Sequence, residues 1–260
     1  MSFRKAAVAG LFYEADPALL QQQIGDLMSK MGSPPEAIPE ALIVPHAGYI
    51  YSGPIAARAY SCLKSHQHKI RRVVLFGPAH RVHLQGLALP SVDCFETPLG
   101  DVALDREAIE RVIDMPGVSV SDQAHRDEHS LEVQLPFLQT VLTQFTLVPV
   151  VVGISDTASV AAVMDELWGG EETLIVISTD LSHFLSYAEA TQVDTNTCNS
   201  ILAKSSSLTG EEACGAFALN GLMRTQHAQA LRVELLDACN SGDTAGDRNR
   251  VVGYGAFLLH

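Results

Sequence analysis

The sequence predicts an α/β fold: one domain with a largely parallel central sheet and helices on both faces. Apolar, β-branched runs alternate along the chain with segments of helical length, which is the pattern of strands joined by crossover helices. The run at 148–152 is apolar on both of its faces, as a strand covered on both sides should be. A length of 260 residues without internal repeats fits a single domain over 1–260.

The order of the elements follows from the periodicity of apolar residues. Strands are predicted at 41–44, 72–76, 86–89, 146–152, 173–178, 231–236 and 251–258. Helices are predicted at 16–30, 54–64, 105–113, 130–143, 156–168, 187–204 and 209–225. The stretch 32–35 is predicted to be a loop within the domain, and 240–249 a polar, glycine-rich loop before the last strand.

Composition limits the classes of function. A formal net charge of -13, from 17 basic and 30 acidic residues, argues against a nucleic-acid or anionic-membrane partner. The chain has no signal-like start and no run of about eighteen apolar residues. Its five cysteines are odd in number and contain no C-x-x-C pair, which argues against a disulfide framework. These features predict a soluble cytoplasmic protein with reduced thiols.

Three histidines lie just beyond the ends of predicted strands. His46, His80 and His183 each follow an apolar run within a few residues. Because the carboxyl ends of parallel strands meet at one edge of a sheet, these three side chains are expected to converge. Imidazole is the commonest side-chain metal ligand and the usual proton shuttle near neutral pH. The pattern therefore predicts a metal site or an acid–base site at that edge.

Asp180 adds a carboxylate to the third of these segments. It lies three residues before His183, so one helical turn would place both on the same face, where the carboxylate could orient a general base. The alternative is that Asp180 or Ser182 caps a following helix. Both interpretations are open from the sequence.

A fourth segment, 127–137, is acidic and contains a histidine. Ser130 is predicted to be the N-cap of a helix, and the acidic residues around it suit the positive end of the helix dipole. That local interpretation does not explain His129, because a cationic histidine is disfavoured at a helix N-terminus. His129 and Glu132 are three residues apart and are expected to reach the same pocket.

Cys214 is the one cysteine with a suggestive context. It is either a small buried apolar side chain or, near a helix N-terminus, a stabilised thiolate that is reactive or binds metal. The motifs of nucleotide-binding proteins, serine hydrolases and zincins are absent from the sequence: G-x-G-x-x-G, the Walker A loop, G-x-S-x-G and H-E-x-x-H.

Taken together, these motifs resemble those of the Memo family, whose bacterial and archaeal members are called AmmeMemoRadiSam system protein B. The resemblance covers nearly the whole chain. The motifs that carry it lie at 9–16, 45–49, 77–80, 127–132, 178–183, 213–215, 241–243 and 251–254. The resemblance implies a fold similar to that of the class III extradiol (LigB-type) dioxygenases, which are non-haem iron enzymes.

The resemblance also implies a metal-ligand set. His46 and His80 match the two iron-binding histidines of the dioxygenases, and Cys214 stands where those enzymes have a glutamate. Two histidines and a carboxylate leave open positions on Fe(II), whereas a thiolate shifts the preference toward softer ions such as Cu(I) or Zn(II). Fe(II) is therefore the first expected cofactor, with copper or zinc as alternatives.

The implied catalytic residues are His183 as the acid–base group, Asp180 beside it and His129 as a second pocket histidine. The function predicted first is a metal-dependent redox enzyme, similar to a dioxygenase, acting on a small chelating or phenolic metabolite. One alternative is a non-catalytic module that binds a metal, a peptide or a partner protein, and another is a zinc-dependent hydrolase. Prokaryotic relatives are often encoded beside a radical-SAM enzyme, which implies a functional link to such an enzyme.

Overall fold

The computed structural model describes residues 1–32, 35 and 37–260. Its strands in chain order are β1 (Phe3–Arg4), β2 (Ala41–Val44), β3 (Arg72–Pro78), β4 (Leu87–Leu89), β5 (Cys94–Thr97), β6 (Gly100–Ala103), β7 (Val118–Val120), β8 (Thr146–Val152), β9 (Thr173–Ser178), β10 (His183–Leu185), β11 (Val233–Asn240) and β12 (Val251–Leu259). Ser33 and Pro34 lie outside the described residues, and the loop predicted at 32–35 falls on them.

The helices in chain order are α1 (Pro17–Ser29), α2 (Tyr49–Ser61), α3 (Arg106–Val112), α4 (Asp122–Arg126), α5 (Leu135–Val141), α6 (Thr157–Leu167), α7 (Tyr187–Leu202), α8 (Ala216–Arg224) and α9 (Gln226–Ala230). Short 3-10 turns occur at Lys64–His66, Glu132–Gln134 and Ser241–Asp243. In the part of the chain that the structure describes, no helix is both long enough and apolar enough to cross a bilayer.

The main sheet confirms the predicted parallel centre. Its strands run in the order β10-β12-β2-β9-β3-β8-β4-β7, and β11 pairs with β12. The four central strands β2, β9, β3 and β8 are parallel to one another. On either side the pairing is antiparallel, since β12 runs against β2 and β4 runs against β8. A separate small sheet has the order β1-β5-β6.

Helices cover both faces of this sheet. On one face α1, α2 and α5 contact one another, and α2 packs against β2 and β12. On the other face α6 packs against α3 and α8, and α8 lies against β3. The central strands β2 and β9 are buried along their whole length, which is why their sequences read as continuous apolar runs.

Helix starts in this chain follow the expected capping chemistry. The Asp16 carboxylate accepts hydrogen bonds from the backbone N–H groups of Ala18 and Leu19, and proline occupies the first position of α1. At α7 Ser186 and Glu189 form a reciprocal capping box. These local signals explain why the predicted bounds of α1 and α7 agree with the observed ones to within two residues.

Three predicted helices differ from the observed ones. α2 begins at Tyr49 rather than at 54, because Pro54 is accommodated inside the helix. The helix predicted at 130–143 is a 3-10 turn followed by α5. Ser130 is not its N-cap, since the Ser130 hydroxyl donates to the carbonyl of Pro78 at 2.9 Å. The helix predicted at 209–225 begins only at Ala216.

The late start of α8 has a clear cause in the neighbouring chain. The backbone N–H of Gly215 donates to the Thr179 hydroxyl at 2.8 Å, and that of Cys214 donates to the carbonyl of Asp180 at 3.2 Å. These bonds hold the segment against the loop that follows β9. A Cβ added at Gly215 would lie 2.7 Å from the Thr179 Cβ and 3.0 Å from the carbonyl oxygen of Ser178.

We therefore expect Gly215→Ala to destabilise the protein by about 1–3 kcal/mol, because the two loops would have to separate. Gly210→Ala is the matched control, since a Cβ there meets no atom within 4 Å. Urea unfolding of both variants measures the difference. Equal unfolding free energies for the two variants would show that the loops can separate without cost.

Candidate metal centre

The candidate site lies where three neighbouring parallel strands end. His46 follows β2, Asp180 follows β9 and His80 follows β3, and β9 lies between the other two strands. The ring centroids of His46 and His80 are 5.1 Å apart. The sheet therefore brings together two histidines that are distant in sequence, as strand ends in a parallel sheet do.

A third histidine joins them from outside the sheet. His129 lies in the loop between α4 and the 3-10 turn at Glu132–Gln134. The ligand nitrogens of His46, His80 and His129 all lie within 4.8 Å of one another, so the three rings could hold one metal ion. The expectation from the sequence gave His129 a contact with the substrate, whereas the structure places it within the histidine cluster.

Hydrogen bonding fixes which nitrogen of His46 is free. The Ser178 hydroxyl donates its only proton to the carbonyl of Ser130 at 2.6 Å and accepts from the Gln134 amide at 2.8 Å. Its remaining contact, to Nδ1 of His46 at 2.9 Å, must therefore be donated by the His46 ring. Nε2 of the neutral His46 ring then carries the lone pair that a metal needs.

Glu128 determines which nitrogen of His80 is free. Its side chain is 1 % exposed and accepts hydrogen bonds from Nδ1 of His80 at 3.0 Å and from the His80 backbone N–H at 2.6 Å. The backbone N–H groups of His129 and Ser130 also donate to it, both at 2.9 Å. Because an ionised carboxylate only accepts, Nδ1 of His80 carries the proton and Nε2 is free.

Burial alone would raise the pKa of Glu128, but the hydrogen bonds from His80 and Ser130 outweigh it and lower the pKa to about 2. Sequence reasoning grouped Glu128 with the acidic residues of a helix start and missed this role. In the sequence, only the position of Glu128 next to His129 could have indicated this role. A buried carboxylate behind a histidine ring is the usual support of a metal-binding imidazole.

Two of the three rings, His46 and His129, favour the neutral form that metal binding requires. Burial lowers the pKa of His129 to about 4, and its Nδ1 has no hydrogen-bond partner among the residues described. Burial and the neighbouring His80 and His129 lower the pKa of His46. The Phe12 ring packs on His129 with a centroid distance of 4.7 Å and covers one side of the cluster.

Cys214 lies beside this cluster. Its sulfur is 3.4 Å from Nε2 of His46 and accepts a hydrogen bond from the backbone N–H of Asp180 at 3.3 Å. Burial and the nearby Asp180 carboxylate raise the pKa of Cys214 to about 12. Burial therefore opposes the thiolate that the sequence suggested near a helix N-terminus.

This high pKa makes a measurable prediction. In a metal-free variant that keeps Cys214 as its sole cysteine, we expect iodoacetamide to react slowly between pH 7 and about pH 10, because only the thiolate is nucleophilic. Mass spectrometry of the alkylated protein gives the rate at each pH. The denatured variant is the control, and a native rate equal to the denatured rate would contradict the assignment.

Asp180 supports His46 rather than His183. Its carboxylate accepts from the backbone N–H of His46 at 2.8 Å, and its second oxygen lies 4.0 Å from Nε2 of His46. Burial raises the pKa of Asp180 to about 7. The predicted helical turn is wrong, because Leu181 donates to the carbonyl of Gly253 and the chain enters β10 at His183.

His183 nevertheless reaches the same site. It lines a cavity of about 610 Å³ together with Asp180 and His129. Burial lowers the pKa of His183, and the nearby His80 lowers it further. The ring is therefore neutral near pH 7 and able to accept a proton from a molecule in the cavity.

A family model described as "Memo-like protein" matches residues 4–258. The chain belongs to the Memo-like family. A MEMO1 family protein of Aquifex aeolicus (strain VF5) is 34 % identical over 98 % of this chain and 98 % of that protein. A MEMO1 family protein of Archaeoglobus fulgidus is 33 % identical over 98 % and 99 %. The family predicted from the motifs is thereby confirmed.

A solved structure supports the fold of this Memo-like chain. An uncharacterized protein of Escherichia coli K12 aligns with a TM-score of 0.52 and 14 % sequence identity, covering 85 % of this chain and 100 % of that one. At this identity the similarity concerns the fold alone. Membership of the Memo-like family and the cluster of three histidines are thus established together, and metal binding is the chemistry they support.

Proposed function

We propose that this chain is a metal-dependent redox enzyme that acts on a small chelating or phenolic metabolite. His46, His80 and His129 would hold the metal, and Cys214 lies beside His46 as a further candidate ligand. Fe(II) is the first candidate, because the sequence motifs resemble those of non-haem iron enzymes. Copper and zinc are the alternatives, since imidazole suits all three metals.

The observation that carries the proposal is the convergence of three imidazoles, two of which have Nδ1 occupied by a hydrogen bond. Ser178 accepts a hydrogen bond from Nδ1 of His46 and Glu128 accepts one from Nδ1 of His80, so each ring presents the lone pair of Nε2. Any buried imidazole N–H needs an acceptor, so what distinguishes this set is that the ligand nitrogens of all three rings lie within 4.8 Å of one another. This arrangement is that of a metal site and its supporting shell.

The chain's own residues would act on a bound molecule as follows. A metal at the cluster would supply a Lewis acid and, with iron or copper, one-electron chemistry. His183, neutral near pH 7, accepts the proton of a phenolic hydroxyl in the cavity. Glu128 keeps the His80 ring oriented, and Phe12 excludes water from one side of His129.

One observation favours a second candidate, a zinc-dependent hydrolase. Three histidine ligands and an open fourth position form a known catalytic zinc set, and the cavity beside His129 leaves room for a substrate. Identification of the metal separates the two candidates. Zinc as isolated, with esterase or amidase activity that chelation abolishes, would favour the hydrolase.

The first test is the metal content of protein purified without oxygen. We expect close to one iron or copper ion per chain in the wild type and a loss of at least about tenfold in affinity in His46→Ala, His80→Ala and His129→Ala. Cys214→Ala shows whether the sulfur is also a ligand. His83→Ala is the control, because this exposed histidine lies outside the cluster.

Two results would contradict the metal assignment. One is a wild type that binds no metal after Fe(II), Cu(I) and Zn(II) are each supplied. The other is a loss of metal affinity in the His83→Ala control as large as the loss in the variants of the cluster. Tight metal binding without oxygen uptake on a panel of catechols would instead support the alternative of a non-catalytic binding module.

The role of His183 has its own test. His183→Ala should retain the metal while oxygen uptake with the active phenol falls by about 100-fold, since general-base catalysis contributes that much. Metal content and oxygen uptake are measured on the same sample. Full activity in this variant would remove His183 from the mechanism.

A further inference from the structure

The cavity beside the metal cluster is bounded by one basic side chain. His129, Asp180 and His183 line it on the cluster side, and the loop before β12 contributes Asp247 and Arg250. A molecule that fills this space and reaches the histidines therefore meets the charged groups of that loop. The signs of these charges determine which molecules can bind in the cavity.

Arg250 is the arginine that lines this cavity. Its side chain makes no salt bridge to any residue within 1–32, 35 and 37–260. Arg248, two residues earlier, differs: it lies 3.9 Å from the Asp243 carboxylate and over the Tyr187 ring. Arg250 therefore combines a guanidinium free of a carboxylate, among the residues described, with a place in the wall of this cavity.

Phe184 holds the Arg250 guanidinium in place, and its backbone is strained. The guanidinium carbon lies 4.9 Å from the centre of the Phe184 ring, within the range of a cation–π contact. Phe184 has φ of 60°, a left-handed conformation that is unfavourable for a bulky residue. Its side chain is also 61 % exposed, so burial does not compensate for that cost.

The strain at Phe184 is part of an irregularity in β10. The register of β10 against β12 shifts between His183 and Leu185, which is where Phe184 lies. Bulges of this kind re-aim side chains beside functional sites. Here the irregularity places His183 in the cavity and the next side chain under Arg250.

We propose that Arg250 binds an anionic group of the substrate, a carboxylate or a phosphate, whose other end reaches the metal cluster. The planar guanidinium presents paired N–H donors that fit either group. Asp247 lines the same cavity and repels an anion near its carboxylate, so Arg250 fixes the orientation. The Asp247 carboxylate accepts a hydrogen bond from the backbone N–H of Asn249 at 2.7 Å, which holds it within its own loop. Only one part of this inference rests on the proposed function, namely that the other end of the substrate binds a metal at the histidine cluster.

The test compares three catechols of similar size that differ in charge: 3,4-dihydroxybenzoate, 4-methylcatechol and dopamine. Isothermal titration under anaerobic conditions measures their affinity for the Fe(II)-loaded wild type, Arg250→Gln and Arg248→Gln. We expect the benzoate to bind about tenfold more tightly than the neutral probe, the size of one charge-assisted hydrogen bond. Arg250→Gln should lose that preference, and Arg248→Gln should keep it.

A second arm uses the metal-free protein with benzoate and phenyl phosphate, which bind without chelating a metal. The tighter of the two identifies the anionic group, and its loss in Arg250→Gln assigns the contact. Metal content is measured in every variant, so a failed metal site and a failed anion site give different results. No preference for the anionic probes, a preference for dopamine, or a preference that survives in Arg250→Gln would overturn the proposal.

Discussion

Glu132→Ala is expected to destabilise the protein by about 3–5 kcal/mol, because it leaves a buried arginine without its partner. The side chains of Glu132 and Arg4 are 0 % and 4 % exposed, and they form an ion pair. The Glu132 carboxylate also accepts from the backbone N–H groups of Ala7 and Val8, at 2.8 and 3.0 Å, and from the Tyr13 hydroxyl at 2.7 Å.

We expect Glu132→Ala to disturb the candidate metal centre as well. These hydrogen bonds anchor the segment that carries Phe12, whose ring packs on His129. Urea unfolding and metal content are therefore both measured. Glu132 was expected to share a pocket with His129, whereas the structure turns its carboxylate toward the N-terminal segment.

A neighbouring ion pair provides the control for Glu132. Lys5 and Glu96 approach at 2.7 Å, but their side chains are 78 % and 27 % exposed. Glu96→Ala should therefore cost no more than about 1 kcal/mol, as exposed pairs do. An equal cost for Glu132→Ala and Glu96→Ala would show that the buried pair contributes nothing beyond its exposed neighbour.

Glu128→Gln is expected to weaken metal binding by about 10–100-fold, because the neutral amide keeps only one acceptor oxygen and puts an NH2 donor against one of the two N–H groups of His80. The fold should also lose stability, since three backbone N–H groups and one imidazole N–H donate to this carboxylate. Asp127→Asn is the matched control, because its side chain is 59 % exposed. Metal titration and urea unfolding of both variants test the prediction.

The contribution of Glu128 to the stability of the protein should depend on pH. The pKa of Glu128 is about 2 in the folded protein, below its ordinary value of 4.5. Its contribution to stability is therefore complete above about pH 4.5 and is lost as the pH falls toward 2; the shift corresponds to about 3 kcal/mol. Acid unfolding of Glu128→Gln should lack this part of the pH dependence. A wild-type curve with the same acid limb as the variant would refute the assignment.

The sequence predicts the central strands well and the edges poorly. β2, β3, β8 and β9 are continuous apolar runs, and their predicted bounds differ from the observed ones by at most two residues. β1, β5, β6, β7 and β10 have at most four residues each, too short for a periodicity to show. β1, β7 and β10 also depend on partners far away in sequence, which local patterns do not contain.

The site was predicted where it depends on strand ends and missed where it depends on loops. His46 and His80 follow central strands, so their meeting follows from the parallel sheet. His129 and Glu128 reach the cluster from an irregular loop, and no spacing rule gives that path. Cys214 was predicted on a helix, but hydrogen bonds to the segment 179–180 hold it before α8 begins.

The position of β9 has a consequence for how the protein is made. β9 lies between β2 and β3 in the sheet, yet it is synthesised long after both. A nascent chain that ends before residue 173 holds His46 and His80 on strands that cannot yet flank a common neighbour. The two rings acquire their final spacing only when a late segment inserts between two early ones. The candidate metal centre can therefore assemble only after β9 has been synthesised, when more than half of the chain has left the ribosome.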